Sequence, residues 1–467
     1  MVGLLLFLLA GKGHPKPAAT SRDRDILLAI RKDWGSPPQL KSWDLTASLN
    51  YCTWNGVKCS GGGEGTVTEL SLSGLSLTVP VPASVCVLKN LSSLDLSNNH
   101  LTGAFPAATL CACKQLRFLD LSHNQFSGPL PRDIDGLSSV MEHLNLSVNS
   151  FSGEVPPSVA RFPTLKSLLL DTNHFTGAYP AAEISKLAQL DILTLGDNLF
   201  AQAPVPTEFA KLTKLTSLWM DAMDLTGEIP EALASLTELM LLSMHSNNLT
   251  GSIPAWVWQH RKLEYVDLSA NSLSGELPRN VTAVSLIELD VSANQLTGEI
   301  PAGFGNLKDL EFMSLSENQF TGPIPASIGL LPQLRYIWIH GNRLSGELPL
   351  ELGKHSPLVS LVVADNNLSG PLPETLCANG ELNVIDVSNN SFSGELPANL
   401  GNCIKLDSLL ISNSRFSGPI PTSLPIGLQQ FRAENNRLSG PLPADMGKLS
   451  NLTHLSLRGN RITGPIP

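Results

Sequence analysis

Seven cysteines and ten histidines are the side chains of this 467-residue sequence with most capacity for bond-making chemistry. Thiols can hold a metal, act as nucleophiles or pair as disulfides, and their placement separates these options. Cys86 stands thirteen residues before Asn99 and Cys113 eleven before Asn124; Cys377 stands thirteen before Asn390 and Cys403 eleven before Ser414. The same pair of offsets occurs twice, so bridges from Cys86 to Cys113 and from Cys377 to Cys403 are expected, with Cys111 left over. No histidine falls at ligand spacing near these thiols, which leaves no metal site and no cofactor in view. Gly61-Gly62-Gly63-Glu64-Gly65 follows no strand and is not read as a phosphate loop. His260-Arg261-Lys262 lacks the aspartate of a kinase catalytic loop, and no nucleophile and base share a convincing arrangement. No catalytic residues are assigned, the chain is read as not an enzyme, and function must reside in surface recognition.

The elements that would carry such a surface come from repetition. Leu289 to Pro301 reads L-D-V-S-A-N-Q-L-T-G-E-I-P, and the pattern returns as Leu94 to Pro106, Leu119 to Pro131, Leu144 to Pro156, Ile385 to Pro397 and Leu455 to Pro467. Numbered by the asparagine or its replacement, seventeen copies follow one another at 22 to 25 residues. That period and core resemble leucine-rich repeats, in which each copy is one coil of a solenoid. The aliphatic residues five and three places before the asparagine point inward from a short strand, and the residues between them point out. Neighbouring strands then form a parallel sheet on the concave wall. The asparagine amide can satisfy backbone groups within its coil and the next, where an unmatched buried donor costs about 1–3 kcal/mol. Leu75, Met223 and Ser414 replace it, so the ladder should weaken there. Gly recurs four places after the ladder residue except at Val79 and Gln202, and an irregular outer turn is expected around Gln202. The G-x-I-P half resembles the plant-specific class of these repeats, which implies a second short strand per coil.

Val2 to Ala10 is an apolar run of signal-peptide length, so residues 1–19 are taken as a signal peptide. Asp23 to Trp34 has apolar residues at helical spacing and is read as a capping helix. Cys52 and Cys59 lie seven apart beside Trp43 and Trp54, just before the first repeat. This arrangement resembles the N-terminal cap of plant extracellular leucine-rich repeat receptors, and the resemblance implies a Cys52 to Cys59 disulfide. The organisation is therefore a cap over 20–65 and a solenoid of about seventeen repeats over 66–467. No later segment is long and apolar enough to span a membrane. The sequence stops at the end of a repeat, as a fragment of a longer receptor would. Sequons stand at Asn90, Asn145, Asn248, Asn280, Asn367, Asn389 and Asn451 and fit an extracellular glycoprotein. Asn145 falls on the concave wall, where a glycan would obstruct access.

The outward columns of that wall contain Phe118, Trp219, Tyr265, Phe312, Tyr336 and Trp338, with His245 and His340 among the histidines. Exposed aromatic residues on a rigid sheet bring contact area at small entropic cost. The same columns hold thirteen acids and two bases, Arg432 and Arg458. The net charge of −10 argues against a nucleic-acid partner and for a ligand of cationic character, with its carboxylate end near the basic distal coils. Seventeen strands at about 4.8 Å give a wall of roughly 80 Å, while an extended dodecapeptide spans roughly 40 Å.

With the cap, the repeats and phrases such as Asp95-Leu96-Ser97-Asn98-Asn99 and Leu344-Ser345-Gly346-Glu347-Leu348-Pro349, nearly the whole chain resembles the ectodomain of plant leucine-rich repeat receptor kinases, most of all the HAESA-like group. The resemblance implies an α/β solenoid, a small secreted peptide on the concave face and a leucine-rich repeat co-receptor kinase of the somatic-embryogenesis type near the C-terminal coils. It also implies the outer side of the plasma membrane or secretion, with attachment only through a span absent from this chain and a Ser/Thr kinase beyond it. The group often carries Arg-x-Arg on a distal strand; the matching positions here are Ser408 and Leu410, or Gln430 and Arg432, so one arginine at most corresponds. The alternatives are a secreted wall or defence protein similar to polygalacturonase inhibitors, which are nearer ten repeats, and a truncated decoy receptor.

Overall fold

In the computed structural model the described residues are 22–46, 48–61 and 65–466, so the expected signal segment lies outside them. Leucines and isoleucines recurring at one phase of each repeat build one continuous apolar core. Leu94, Leu144, Leu193, Leu289 and Ile385 are all wholly buried. The inner sheet has eighteen strands. Seventeen are parallel and run from Thr66–Ser71 to His454–Ser456. The remaining one, Val57–Ser60, pairs antiparallel with Thr66–Ser71 and covers the first edge, which would otherwise present open backbone groups.

The cap is built around aromatic side chains. Helix Arg22–Asp33 buries Ile26, Leu27 and Ile30. Trp34, Trp43, Tyr51 and Trp54 pack beneath it, with the rings of Trp43 and Trp54 stacked at 6.2 Å. The indole N–H groups of Trp43 and Trp54 donate to the carbonyls of Asn55 and Ser48, whereas that of Trp34 is buried without a partner. Cys52 is bonded to Cys59, Cys86 to Cys113 and Cys377 to Cys403, with Cα atoms 5.6, 4.7 and 4.9 Å apart. Cys111 is a free thiol.

The asparagine ladder is explicit. Asn318 Nδ2 donates to the carbonyls of Val291, Leu315 and Ser316, and its Oδ1 accepts from Leu296 N–H at 2.9 Å. Each amide thus ties its own turn to the coil before it. The residue preceding the ladder position takes left-handed backbone, even where it is β-branched, as at Val148 (φ 52°) and Thr172 (φ 54°). Such residues resist this conformation by about 1–2 kcal/mol. The ordering of the next coil compensates: Val148 N–H donates to Asp171 and its carbonyl accepts from Asn124 N–H.

Second strands line the lateral face. One series runs from Thr102–Gly103 to Leu199–Phe200, and another starts at Ala203–Pro204. The break sits at the expected irregular turn around Gln202. Met223 also offers no ladder amide to the Phe200 N–H there, whereas Asn198 accepts from the Phe175 N–H. Ser414, another of the three ladder replacements, leaves its hydroxyl buried without a partner. Phe126, Phe151, Phe175 and Phe200 stack at 5.9 to 6.4 Å behind these strands. Among the described residues, no helix is long and apolar enough to cross a membrane.

Candidate functional site

Strand register decides which outward side chains stand side by side. Through the alignments of consecutive strands, Trp219, Ser243, Asp267, Asp290, Ser314 and Trp338 form one unbroken row. A second row beside it runs Tyr265, Glu288, Phe312 and Tyr336. Five strand steps separate the two tryptophans, or about 24 Å. Each is 37 % exposed, as is Tyr265. The rigid sheet below them means that these rings need no reorganisation to meet a ligand.

At one end of this belt Phe312, Tyr336 and Trp338 form a cluster. The Phe312 and Trp338 rings meet edge to face at 5.0 Å, and Phe312 and Tyr336 lie 6.1 Å apart. The Trp338 indole donates to Ser360 Oγ at 3.2 Å, which fixes its tilt. His340 Nε2 lies 3.9 Å from a Glu317 carboxylate oxygen in the same cluster of coils. Tyr265 is not part of the cluster. Across Glu288 it faces Phe312 instead, and together they flank a cavity of 220 Å³ whose lining includes Asp267, Glu288 and Asp290. Burial raises the Asp290 carboxyl above its usual range, against hydrogen bonds from Ser292, and the charge of Asp267 adds to the rise. A cation entering this cavity would relieve that crowding.

At the other end Trp219 stands beside a buried carboxylate paired with a partly exposed histidine. Asp221 Oδ1 accepts from Ser243 Oγ and His245 N–H, and Oδ2 lies 3.2 Å from His245 Nε2. Burial pushes this carboxyl up to about 7, although Ser243 and His245 favour the charged form. Gly196 makes the arrangement possible, since a Cβ there would meet Asp221 backbone atoms at 2.9 and 3.0 Å and Trp219 at 3.2 Å. Asp221 is one of the thirteen acids of the wall, and the glycine at the same column of the preceding coil is the mark that sets it apart in the sequence.

Other sequence-derived positions lie outside the belt. Phe118 contacts His143 at 5.8 Å, four coils before Trp219. Arg432 lines a shallow 410 Å³ concavity with Asp386 and Glu434, and Arg458 is exposed one coil further on. Glu434 is held below its usual range: burial opposes ionisation, but hydrogen bonds from Ser412 and Ser456 and the Arg432 charge prevail. Many wall acids serve the strand itself. Asp95 and Asp267 accept from the N–H and hydroxyl of the serine two residues on. Six sequon asparagines are exposed; Asn145 is half-buried and donates to Asp120 at 2.9 Å.

The chain belongs to the leucine-rich repeat family, in its plant receptor-kinase ectodomain branch. The model of the leucine-rich repeat region matches residues 71–325, and that of the leucine-rich repeat N-terminal domain matches 20–60. The crystal structure of the Arabidopsis receptor kinase HAESA, in complex with the peptide hormone IDA and the co-receptor SERK1, superposes with a TM-score of 0.91 at 35 % identity, over 96 % of this chain and 75 % of that one. Two Arabidopsis thaliana receptors are similar in sequence. Receptor protein-tyrosine kinase CEPR1 is 34 % identical over 41 % of this chain, and receptor-like protein kinase 7 is 34 % identical over 45 %. The matched stretches span 17 % and 19 % of those two proteins.

Proposed function

We propose that this chain is the extracellular ligand-binding part of a plant receptor kinase, which takes a small secreted peptide along its concave wall and then pairs with a leucine-rich repeat co-receptor. The observation that carries the reading is the belt from Trp219 to Trp338, where half-exposed rings bracket the carboxylates of Asp267, Glu288 and Asp290. Such a surface suits an extended peptide with a basic side chain near its middle, held by charge and by cation–π contact. Arg432 and Arg458 suit its carboxylate end. The HAESA complex contains both a peptide hormone and a co-receptor, which supports the same division of labour here.

On this reading residues 1–19 are a signal peptide, 20–65 the cap and 66–467 the ligand-binding solenoid, placed outside the cell, with signalling by a kinase elsewhere in the full protein. Asn90, Asn248, Asn280, Asn367, Asn389 and Asn451 are the sequons positioned for glycans. The test is calorimetric titration of the secreted ectodomain with a panel of short secreted peptides and with analogues in which each Lys or Arg is neutralised. A binder whose affinity falls about tenfold on neutralising one central base supports the reading. Indifference to every such replacement would contradict it.

A further inference from the structure

Away from the concave wall, the lateral face carries a groove between the coils of Asn124 and Asn149 that the peptide reading does not use. It encloses 470 Å³, within the range of small-molecule sites. Its opening has a local cause. In most coils a short 3-10 helix begins about eight residues after the ladder position, as at Ala302–Asn306, Ala326–Leu330 and Ala398–Asn402. In the coil of Asn124 the helix is delayed to Ile134–Gly136, and the vacated place is taken by Arg132. Only two coils have arginine at that offset. The other is the coil of Asn271, where Arg279 also lines a lateral cavity, of 580 Å³, and where no such helix forms among the described residues.

The first groove has a definite chemical character. Pro129, Leu130 and Val155 contribute an apolar lining. Arg161 reaches across one end to Asp135 at 3.7 Å, whereas Arg132 has no ion-pair partner among the described residues. Ser158 also lines the groove; it is 2 % exposed and its hydroxyl has no hydrogen-bond partner. Glu154 on the facing wall disfavours a doubly charged anion. We propose that this groove binds a small, mostly apolar molecule bearing a single carboxylate, which Arg132 receives while the apolar body rests on Pro129, Leu130 and Val155. A guanidinium suits a carboxylate because its forked N–H groups match the two oxygens.

The test uses the folded, secreted ectodomain and three probes of one shape: 3-phenylpropionate, its neutral amide and 3-phenylpropylammonium, each titrated by ligand-observed NMR. The expected result is saturable binding of the carboxylate with the amide about tenfold weaker. Arg132→Ala should reduce the carboxylate to the level of the amide, and Ser158→Ala should weaken it several-fold. Arg279→Ala, in the second groove, should leave it unchanged. Thermal melting by circular dichroism confirms that each variant is folded; Arg132 is exposed, so its truncation leaves the core intact. Equal binding of acid and amide, preference for the ammonium, an unaffected Arg132→Ala variant, or no saturable binding up to about 10 mM overturns the proposal.

Discussion

His245 Nε2 lies 3.2 Å from Oδ2 of Asp221, a carboxylate with 1 % of its side chain exposed. The pair has a pH consequence. An unfolded aspartate releases its proton near pH ~4, whereas burial makes the folded chain hold it up to about 7. A raised carboxylate pKa means that the folded state binds the extra proton between these values, so its contribution to stability is complete below pH ~4 and is lost as pH rises through about 7. Asp221→Asn, which retains a hydrogen-bond acceptor, should flatten that decline and melt about 2–4 °C above the parent at pH ~8. Melting curves across this pH range decide it; parallel profiles for the two proteins would contradict the assignment.

Asn318 satisfies four backbone groups, so Asn318→Ala should cost about 2–4 kcal/mol locally, more than one ordinary hydrogen bond. Ser414→Asn should do the reverse, gaining about 1 kcal/mol by occupying a ladder place whose present hydroxyl is unmatched. Hydrogen exchange at the amides of Leu296 and Phe392 reads the two effects separately, as faster and slower exchange respectively.

Three disulfides and one free thiol define a simple chemical experiment. Alkylation of the unreduced protein should label Cys111 alone, slowly, because burial raises its thiol above the usual range. The double substitution Cys377→Ser with Cys403→Ser opens a 26-residue separation and should cost about 3 kcal/mol. Thermal melting measures the loss, and peptide mapping identifies the labelled cysteine.

The aromatic cluster gives a separate binding prediction. Phe312→Ala removes the ring that both Tyr336 and Trp338 lean on, so it should weaken a peptide bound there by about 1–2 kcal/mol while leaving overall stability nearly unchanged. Titration paired with melting separates the two quantities.

The solenoid was legible because a period of two dozen residues leaves few ways to bury leucines such as Leu94 and Leu289, and strand alternation then exposed Trp219, Tyr265 and Trp338. Register across coils was legible too, since every copy begins at the same phase. The left-handed residue before each ladder asparagine was not, because Val148 and Thr172 carry no sign of it; the neighbouring coil imposes it. Nor did composition separate the buried Asp221 from the other wall acids, since the difference depends on Gly196 one coil earlier. The lateral groove was only half legible: the arginine at its offset, shared by Arg132 and Arg279, stands in the sequence, but the late start of the helix at Ile134–Gly136 shows only in the packing.

The central claim is that a ligand lies along the wall from Trp219 to Trp338. The most direct measurement is calorimetric titration of one bound peptide against Trp219→Ala, Trp338→Ala and the double variant. Each single variant should lose about tenfold or more, and the losses should add in the double because the two sites are about 24 Å apart and share no partner. Undiminished affinity in both single variants would contradict it.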